Sequence, residues 1–127
     1  MAKKILVVED DFANQQVSGL FLKKFGYEVD IAANGAIAVE QALENEYGLI
    51  LMDCQMPIMD GFEAARTIRT QQGPNQTTAI VALTANLMNG INQTCRESGM
   101  DDVLNKPIKM QEMQETAERW YNQKSEA

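Results

Sequence analysis

Ile5-Leu6-Val7-Val8-Glu9-Asp10-Asp11 sets four apolar residues directly against three acids. A continuous apolar run this short suits a strand buried on both faces, since a strand with one wet side would alternate. The acids then mark the carboxyl end of a strand spanning Lys4-Val8. Two further runs behave alike: Leu49-Met52 is followed by Asp53, and Ala79-Leu83 by Thr84. Glu28-Ala32 alternates and is expected at an edge, while the short Val103-Leu104 runs into Asn105-Lys106-Pro107.

Between these runs the apolar spacing changes from two to three and four. Ala13, Val17, Leu20, Phe21 and Phe25 predict a first helix stopped by Gly26. Ala36, Val39 and Leu43 follow the Asn34-Gly35 turn, and Phe62, Ala65 and Ile68 precede Gly73-Pro74. Leu87, Ile91 and Cys95 predict a fourth helix ending at Ser98-Gly99, and Met113, Ala117, Trp120 and Tyr121 a fifth. Five strands alternating with five helices predict a parallel α/β sheet covered on both faces. Gln71 to Thr78 reads as an uncharged surface loop, and the last residues as frayed.

Composition narrows the chemistry. The 127 residues include 18 Asp or Glu, 11 Lys or Arg and no His, for a formal charge of -7. A chain of this length forms one domain and buries about two-thirds of its unfolded surface. The expected organisation is a single domain over residues 1–127. The acidic balance argues against direct nucleic-acid binding. Without histidine there is no imidazole metal site, no Ser-His or Cys-His nucleophile, and no phosphohistidine on this chain. Cys54 and Cys95 lack CxxC spacing, so neither a zinc site nor a disulfide framework is expected. Met1 to Lys4 lead straight into the first strand, and no run is long enough for membrane insertion. A cytoplasmic protein is expected.

In open parallel sheets, ligands sit at the carboxyl ends of the strands. Here those ends carry Glu9-Asp10-Asp11, Asp53, Thr84 and Lys106. Clustered carboxylates repel unless cations offset them. Mg²⁺ fits an all-oxygen donor set, and Lys106 can pair with Asp53 at rest and with an anion during reaction. Asp53 as nucleophile, with Mg²⁺ and Lys106 neutralising charge and Thr84 donating a hydrogen bond, suits attack on phosphorus to form an aspartyl phosphate. Asp11 is expected to cap the first helix, and Asp60, Asp101 and Asp102 to lie in turns. Cys54 is expected to be an inert thiol and Cys95 a core residue. Phe12 is either an exposed contact for a partner or a packing residue at the start of the helix.

Ile5 to Asp11, Leu51-Met52-Asp53-Cys54-Gln55-Met56-Pro57-Ile58-Met59-Asp60-Gly61, Ala82-Leu83-Thr84-Ala85 and Asn105-Lys106-Pro107 together closely resemble the receiver domain of two-component response regulators. The resemblance implies a flavodoxin-like, three-layer (βα)5 fold with a five-stranded parallel sheet in the order 2-1-3-4-5. It implies Asp53 as phosphoacceptor, Thr84 and Lys106 as switch hydroxyl and phosphate-binding lysine, and Glu9, Asp10, Asp53 and the Gln55 carbonyl as holders of Mg²⁺. Pro57 and Gly61 would shape the loop after the acceptor, and the Lys106-Pro107 peptide is often cis in such domains. The residue three before the lysine is often Tyr or Phe, but here it is Val103. Any signal must then pass through Thr84 and the Ala85-Asn89 loop, or the domain acts mainly as a phosphoryl carrier.

The implied function is acceptance of a phosphoryl group from a phosphohistidine in a phosphorelay. The partner would be a histidine kinase or histidine phosphotransfer protein, with output left to another protein or domain. Helix one and the loop after Lys106 would be the likeliest docking surface, with helix four, strand five and helix five a second. The Asp53 to Pro57 loop and the Leu83 to Asn86 segment are similar to receivers fused to hybrid sensor kinases. Such a domain phosphorylates and dephosphorylates itself without being a conventional enzyme. The alternative is a receiver-fold interaction module that signals without phosphorylation, against which Asp53, Thr84 and Lys106 all stand. A haloacid-dehalogenase-like phosphatase would need an acid/base Asp where Gln55 stands, and a flavodoxin-like cofactor carrier would need a phosphate-cradling loop where the acids follow the first strand.

Overall fold

The computed structural model describes residues 3–85 and 90–121. Ten elements alternate in order: β1 Lys4–Val8, α1 Phe12–Lys24, β2 Val29–Ala32, α2 Gly35–Glu44, β3 Tyr47–Asp53, α3 Gly61–Thr70, β4 Ile80–Thr84, α4 Ile91–Glu97, β5 Asp102–Asn105 and α5 Met110–Trp120. All pairings are parallel, in the order β2-β1-β3-β4-β5. The expected sheet order is therefore observed, with β2 at one edge and β5 at the other. Asp53 and Thr84 are the last residues of their strands, so β3 and β4 each run one residue past the apolar run. The expected fourth-helix start at Leu87, together with Asn86, Met88 and Asn89 of the loop after Thr84 and the frayed C-terminus, lies outside the described residues.

Side chains alternate across the sheet and build one core on each face. Leu6, Val8, Ile50, Met52, Ile80 and Ala82 pack with Ala38, Val39, Ala64, Ala65, Ile68 and Cys95 of α2, α3 and α4. Ile5, Val7, Leu49, Leu51, Val81 and Leu83 pack with Leu22 of α1 and Met113 and Ala117 of α5. Helices α1, α2 and α3 begin where a short polar side chain accepts a backbone N–H. Asp11 accepts from Asn14, Asn34 from Ile37 and Asp60 from Glu63, each at 2.9 Å. Asp60 is thus a helix cap rather than a turn residue, while Asp11 caps α1 as expected.

α1 departs from its predicted face. Ser18, Gly19 and Leu22 are buried, whereas Val17 is 46% and Leu20 67% exposed. The helix carries apolar residues on more than one side, so spacing alone cannot choose the stripe that meets α5 and the sheet. On α2, Leu43 is likewise exposed, and Ala38, Val39 and Ala42 fill the core.

The segment expected to be a surface loop, 71–78, is pinned at its far end. Asn75 and Thr78 are buried. Asn75 Oδ1 accepts the Tyr47 N–H at 2.8 Å, and its Nδ2 donates to the carbonyls of Ala42 and Asn45, each at 2.6 Å. Asp101 and Asp102 also do more than turn the chain. Asp101 accepts from Arg69 at 3.0 Å and from the Ile80 N–H at 2.9 Å, while Asp102 opens β5 and accepts from Trp120 Nε1 at 3.1 Å.

Tyr47, wholly buried, donates its hydroxyl to Asp30 Oδ2 at 2.8 Å. Burial first, and then the Asp30 carboxylate, hold its ionisation well above the usual phenol range. The folded state therefore keeps this proton longer than the unfolded chain, whose tyrosine titrates near pH ~10. The contribution is intact below that pH and falls as pH rises above it. In urea titrations from about pH 8 to 11, the parent is expected to lose stability steeply at the alkaline end. Tyr47→Phe should start about 1 kcal/mol lower from the lost hydrogen bond and show a shallower alkaline loss. Parallel alkaline slopes would contradict this account.

Candidate active site

Parallel pairing delivers the carboxyl ends of β1, β3, β4 and β5 to one edge, and ladder bonds continue past the strands to hold the residues that follow. Glu9 N donates to the Ala32 carbonyl at 3.0 Å, Cys54 N to Leu83 at 3.0 Å and Lys106 N to Thr84 at 2.7 Å. The backbone beneath Glu9, Asp53 and Lys106 is therefore held by the sheet, as a precise site requires. At Gly61 any side chain would collide with the Asp53 carbonyl, and its N–H bonds the Cys54 carbonyl at 3.0 Å. The loop can turn back against the strand only through glycine. Lys106-Pro107 is cis, as the resemblance implied.

Lys106 Nζ lies 2.8 Å from Glu9 Oε1 and 3.0 Å from Asp53 Oδ2. The sequence paired this lysine with Asp53 alone, whereas in the fold it bridges two carboxylates. Asp53 Oδ1 also accepts the Gln55 N–H at 3.3 Å, and Glu9 Oε2 the Asp11 N–H at 3.2 Å. Glu9 is 2%, Asp53 5% and Thr84 6% exposed, while Asp10 and Gln55 face solvent. All of these residues line one hollow of about 330 Å³. Two residues that sequence reasoning passed over belong here. Asn14 lines the hollow, and Gln15 Nε2 donates to the Glu9 carbonyl at 2.7 Å. Their signal was position alone, one helical turn after the Asp11 cap.

Electrostatics follows from burial and count. Glu9 is pushed up from the ordinary carboxylate range because the cost of burying its charge exceeds the relief from Lys106, and Asp53 adds repulsion. Burial alone would lower Lys106, but its hydrogen bonds to Glu9 and Asp53 outweigh it and the net shift is upward. Glu9, Asp10 and Asp53 each offer an oxygen, all within 4.8 Å of one another. Four acids, Glu9, Asp10, Asp11 and Asp53, line the hollow beside Lys106, its one basic lining residue, so the hollow carries an excess of negative charge that a divalent cation would offset. The donor set is oxygen only. Cys54 lines the hollow, yet burial pushes its thiol up to about 12, and it hydrogen-bonds Cys95 instead of offering a thiolate. The acidic cluster can hold a metal ion, and its chemistry is that of a hard cation.

Val103 is half-buried and packs against the α2–α3–α4 core, so no aromatic ring occupies that position. Phe12 is 72% exposed, which settles its two sequence readings in favour of a surface residue beside the acids. No helix among the described residues is long and apolar enough to cross a membrane.

The sequence model of the response regulator receiver domain matches residues 5–118. The hybrid signal transduction histidine kinase B of Dictyostelium discoideum is 47% identical over 117 residues, covering 84% of this chain; the chain spans only 6% of that relative's length. Among solved structures, the receiver domain of sensor histidine kinase PA1611 from Pseudomonas aeruginosa, with magnesium coordinated in its active site cleft, is 42% identical at a TM-score of 0.86, covering 94% of this chain and 98% of that one. A chain from the co-crystal structure of the Saccharomyces cerevisiae phosphotransfer protein Ypd1 with the receiver domain of Ssk1 matches at 32% identity and a TM-score of 0.83, covering 95% of this chain and 91% of that one.

Proposed function

The chain belongs to the response regulator receiver domain family of two-component phosphorelays, and on that premise we propose that Asp53 accepts a phosphoryl group from a partner's phosphohistidine in a Mg²⁺-dependent reaction. The observation that carries this reading is Lys106 Nζ bridging Asp53 and Glu9 at 3.0 and 2.8 Å above a three-carboxylate cluster. A carboxylate oxygen of Asp53 forms the new O–P bond as the partner's N–P bond breaks and the electron pair returns to the imidazole. Lys106 leaves its resting carboxylate partners for the phosphoryl oxygens. Thr84, at the end of β4, donates its hydroxyl to the product. Asp10, Asp53, the Gln55 carbonyl and Glu9, directly or through water, would hold Mg²⁺. When bound, the ion supplies positive charge to the phosphoryl oxygens as they develop charge.

The donor would be a histidine kinase or histidine phosphotransfer protein, in keeping with the Ypd1 and Ssk1 pairing of the related structure. Exposed Phe12 and Leu20 on α1, with the loop after Lys106, supply the docking surface. With Val103 in place of an aromatic ring, the phosphorylation signal runs through Thr84 and the Ala85-Asn89 segment, or the domain acts mainly as a phosphoryl carrier. In this reading residues 1–127 act as one domain, in the cytoplasm, that phosphorylates and dephosphorylates itself rather than serving as a conventional enzyme.

Incubation with acetyl phosphate and Mg²⁺, read by intact mass, is expected to add one phosphoryl group, and chelation of the metal to prevent it. A protein that stays unlabelled with Mg²⁺ present would leave the interaction-module alternative. Lys106→Ala is expected to keep its circular dichroism spectrum, because the ammonium serves the site and not the core. Its labelling should slow by about 10² to 10³, the cost of removing one charge-stabilising donor. Unchanged labelling in a folded Lys106→Ala variant would count against the role given to this lysine.

A further inference from the structure

The acid turn after β1 is gripped by a glutamine of α1. Glu9 N continues the β1–β2 ladder by donating to the Ala32 carbonyl at 3.0 Å. β2 ends at Ala32 and the chain turns at Asn34 into α2, and the Glu9 carbonyl is met instead by Gln15 Nε2 at 2.7 Å. Gln15 also donates its own N–H to the Asp11 carbonyl at 2.9 Å. One half-buried residue therefore holds the turn on both sides of Asp10.

That grip acts on the directions in which the acids point. The Glu9 carbonyl belongs to the planar peptide unit joining Glu9 to Asp10, so holding its oxygen fixes the plane from which both residues depart. Glu9, Asp10 and Asp53 each offer an oxygen within 4.8 Å of the others. Like charges that close repel, and a turn free to rotate would spread them. Lys106 restrains Glu9 and Asp53 at 2.8 and 3.0 Å, whereas exposed Asp10 depends on its backbone for placement. We propose that Gln15 is a positioning residue for the metal site, its carboxamide holding the Glu9–Asp10 peptide so that the acids stay gathered for Mg²⁺. The inference rests on Glu9, Asp10 and Asp53 holding that ion. Mg²⁺ demands near-octahedral oxygens at roughly 2.0–2.1 Å, whereas Ca²⁺ accepts them at roughly 2.3–2.6 Å in flexible geometry. A tethered turn therefore strengthens Mg²⁺ binding and selects it over Ca²⁺.

The test titrates Mg²⁺ and Ca²⁺ separately into isotopically labelled protein and reads the amide NMR shifts of residues lining the hollow. Gln15→Met keeps the net charge and nearly the length of the side chain and removes the donor. Gln76→Met is the control, because Gln76 Nε2 makes the same kind of bond, to the Arg69 carbonyl at 3.1 Å, outside the hollow. The Mg²⁺ dissociation constant is expected to rise about tenfold in Gln15→Met, the usual cost of losing the outer partner of a metal ligand, and to keep the parent value in Gln76→Met. The Ca²⁺ constant of Gln15→Met should rise by less than about threefold, so the preference for Mg²⁺ falls. Labelling of Gln15→Met by acetyl phosphate should be slow at low Mg²⁺ and recover the parent rate once the metal saturates. If Gln15→Met fails to fold, Gln15→Asn, one methylene too short to reach the carbonyl, should show the same losses. Equal Mg²⁺ constants in the parent and a folded Gln15 variant would overturn the positioning role and leave the metal site standing. An equal rise for both ions would overturn it too, because a bond that serves only the fold does not distinguish them. A folded parent whose hollow shows no Mg²⁺-dependent shift would overturn the metal reading and the proposal with it.

Discussion

Asp53→Asn is expected to take up no phosphoryl group from acetyl phosphate and Mg²⁺, while the parent gains one. The substitution keeps volume and shape in a site that is 5% exposed, so the result reports chemistry and not collapse. An amide nitrogen has no nucleophilic lone pair to offer, and its oxygen lacks the charge that Lys106 meets at 3.0 Å. The geometry also resists a cost-free swap. Asp53 receives hydrogens on both oxygens, from Lys106 on Oδ2 and from the Gln55 N–H on Oδ1. An amide can accept on one side only and points an N–H at a donor on the other. The expected penalty is about 1–3 kcal/mol, partly offset by relief of repulsion with Glu9. Asp60→Asn is the matching control, because Asn caps a helix about as well as Asp and Asp60 lies outside the hollow. It should label like the parent. Labelling of Asp53→Asn to the parent's extent would move the acceptor elsewhere.

The second large effect is on stability, at the opposite edge of the sheet. Arg69→Ala is expected to cost about 3–5 kcal/mol, out of the ~5–15 kcal/mol that holds a domain together. The guanidinium, with only 17% of its side chain exposed, spends its donors on four groups. Nε reaches the Gly99 carbonyl at 2.8 Å, Nη1 the carbonyls of Thr78 at 2.6 Å and Gln76 at 3.0 Å, and Nη2 Asp101 at 3.0 Å. Its removal strands a carboxylate that is 13% exposed, together with the half-buried carbonyls of Gly99 and Thr78. Lysine cannot substitute, since an ammonium is a point donor and cannot span the fork. Urea unfolding should show a lower midpoint at unchanged slope, and a melting temperature lower by about 10–20 °C. A loss below about 1 kcal/mol would mean the network is solvated like a surface ion pair. Because Arg69 is remote from the hollow, whatever fraction is folded should still be labelled.

These two sites were unequally legible before the fold was known. Glu9, Asp10, Asp53, Thr84 and Lys106 could be read because each lies within two residues of the end of an apolar run, and strand polarity sends every such position to one edge. Arg69 and Asp101 offered no such sign, being 32 residues apart with partners on a loop that reads as surface. Asn75 was hidden for the same reason, since its acceptors and donor are 28 to 33 residues away.

The sequence by itself determined the alternation of strands and helices, the edge at which the chemistry gathers, and the residue types present there. Those properties depend on neighbours along the chain and on the fixed period of each element. Tertiary structure alone decided which stripe of α1 is buried, leaving Val17 and Leu20 outside and an apolar groove beside the acids. It also decided that one lysine serves Glu9 and Asp53 together. Both outcomes turn on distances between elements far apart in the chain, and those distances are set by how the two cores pack.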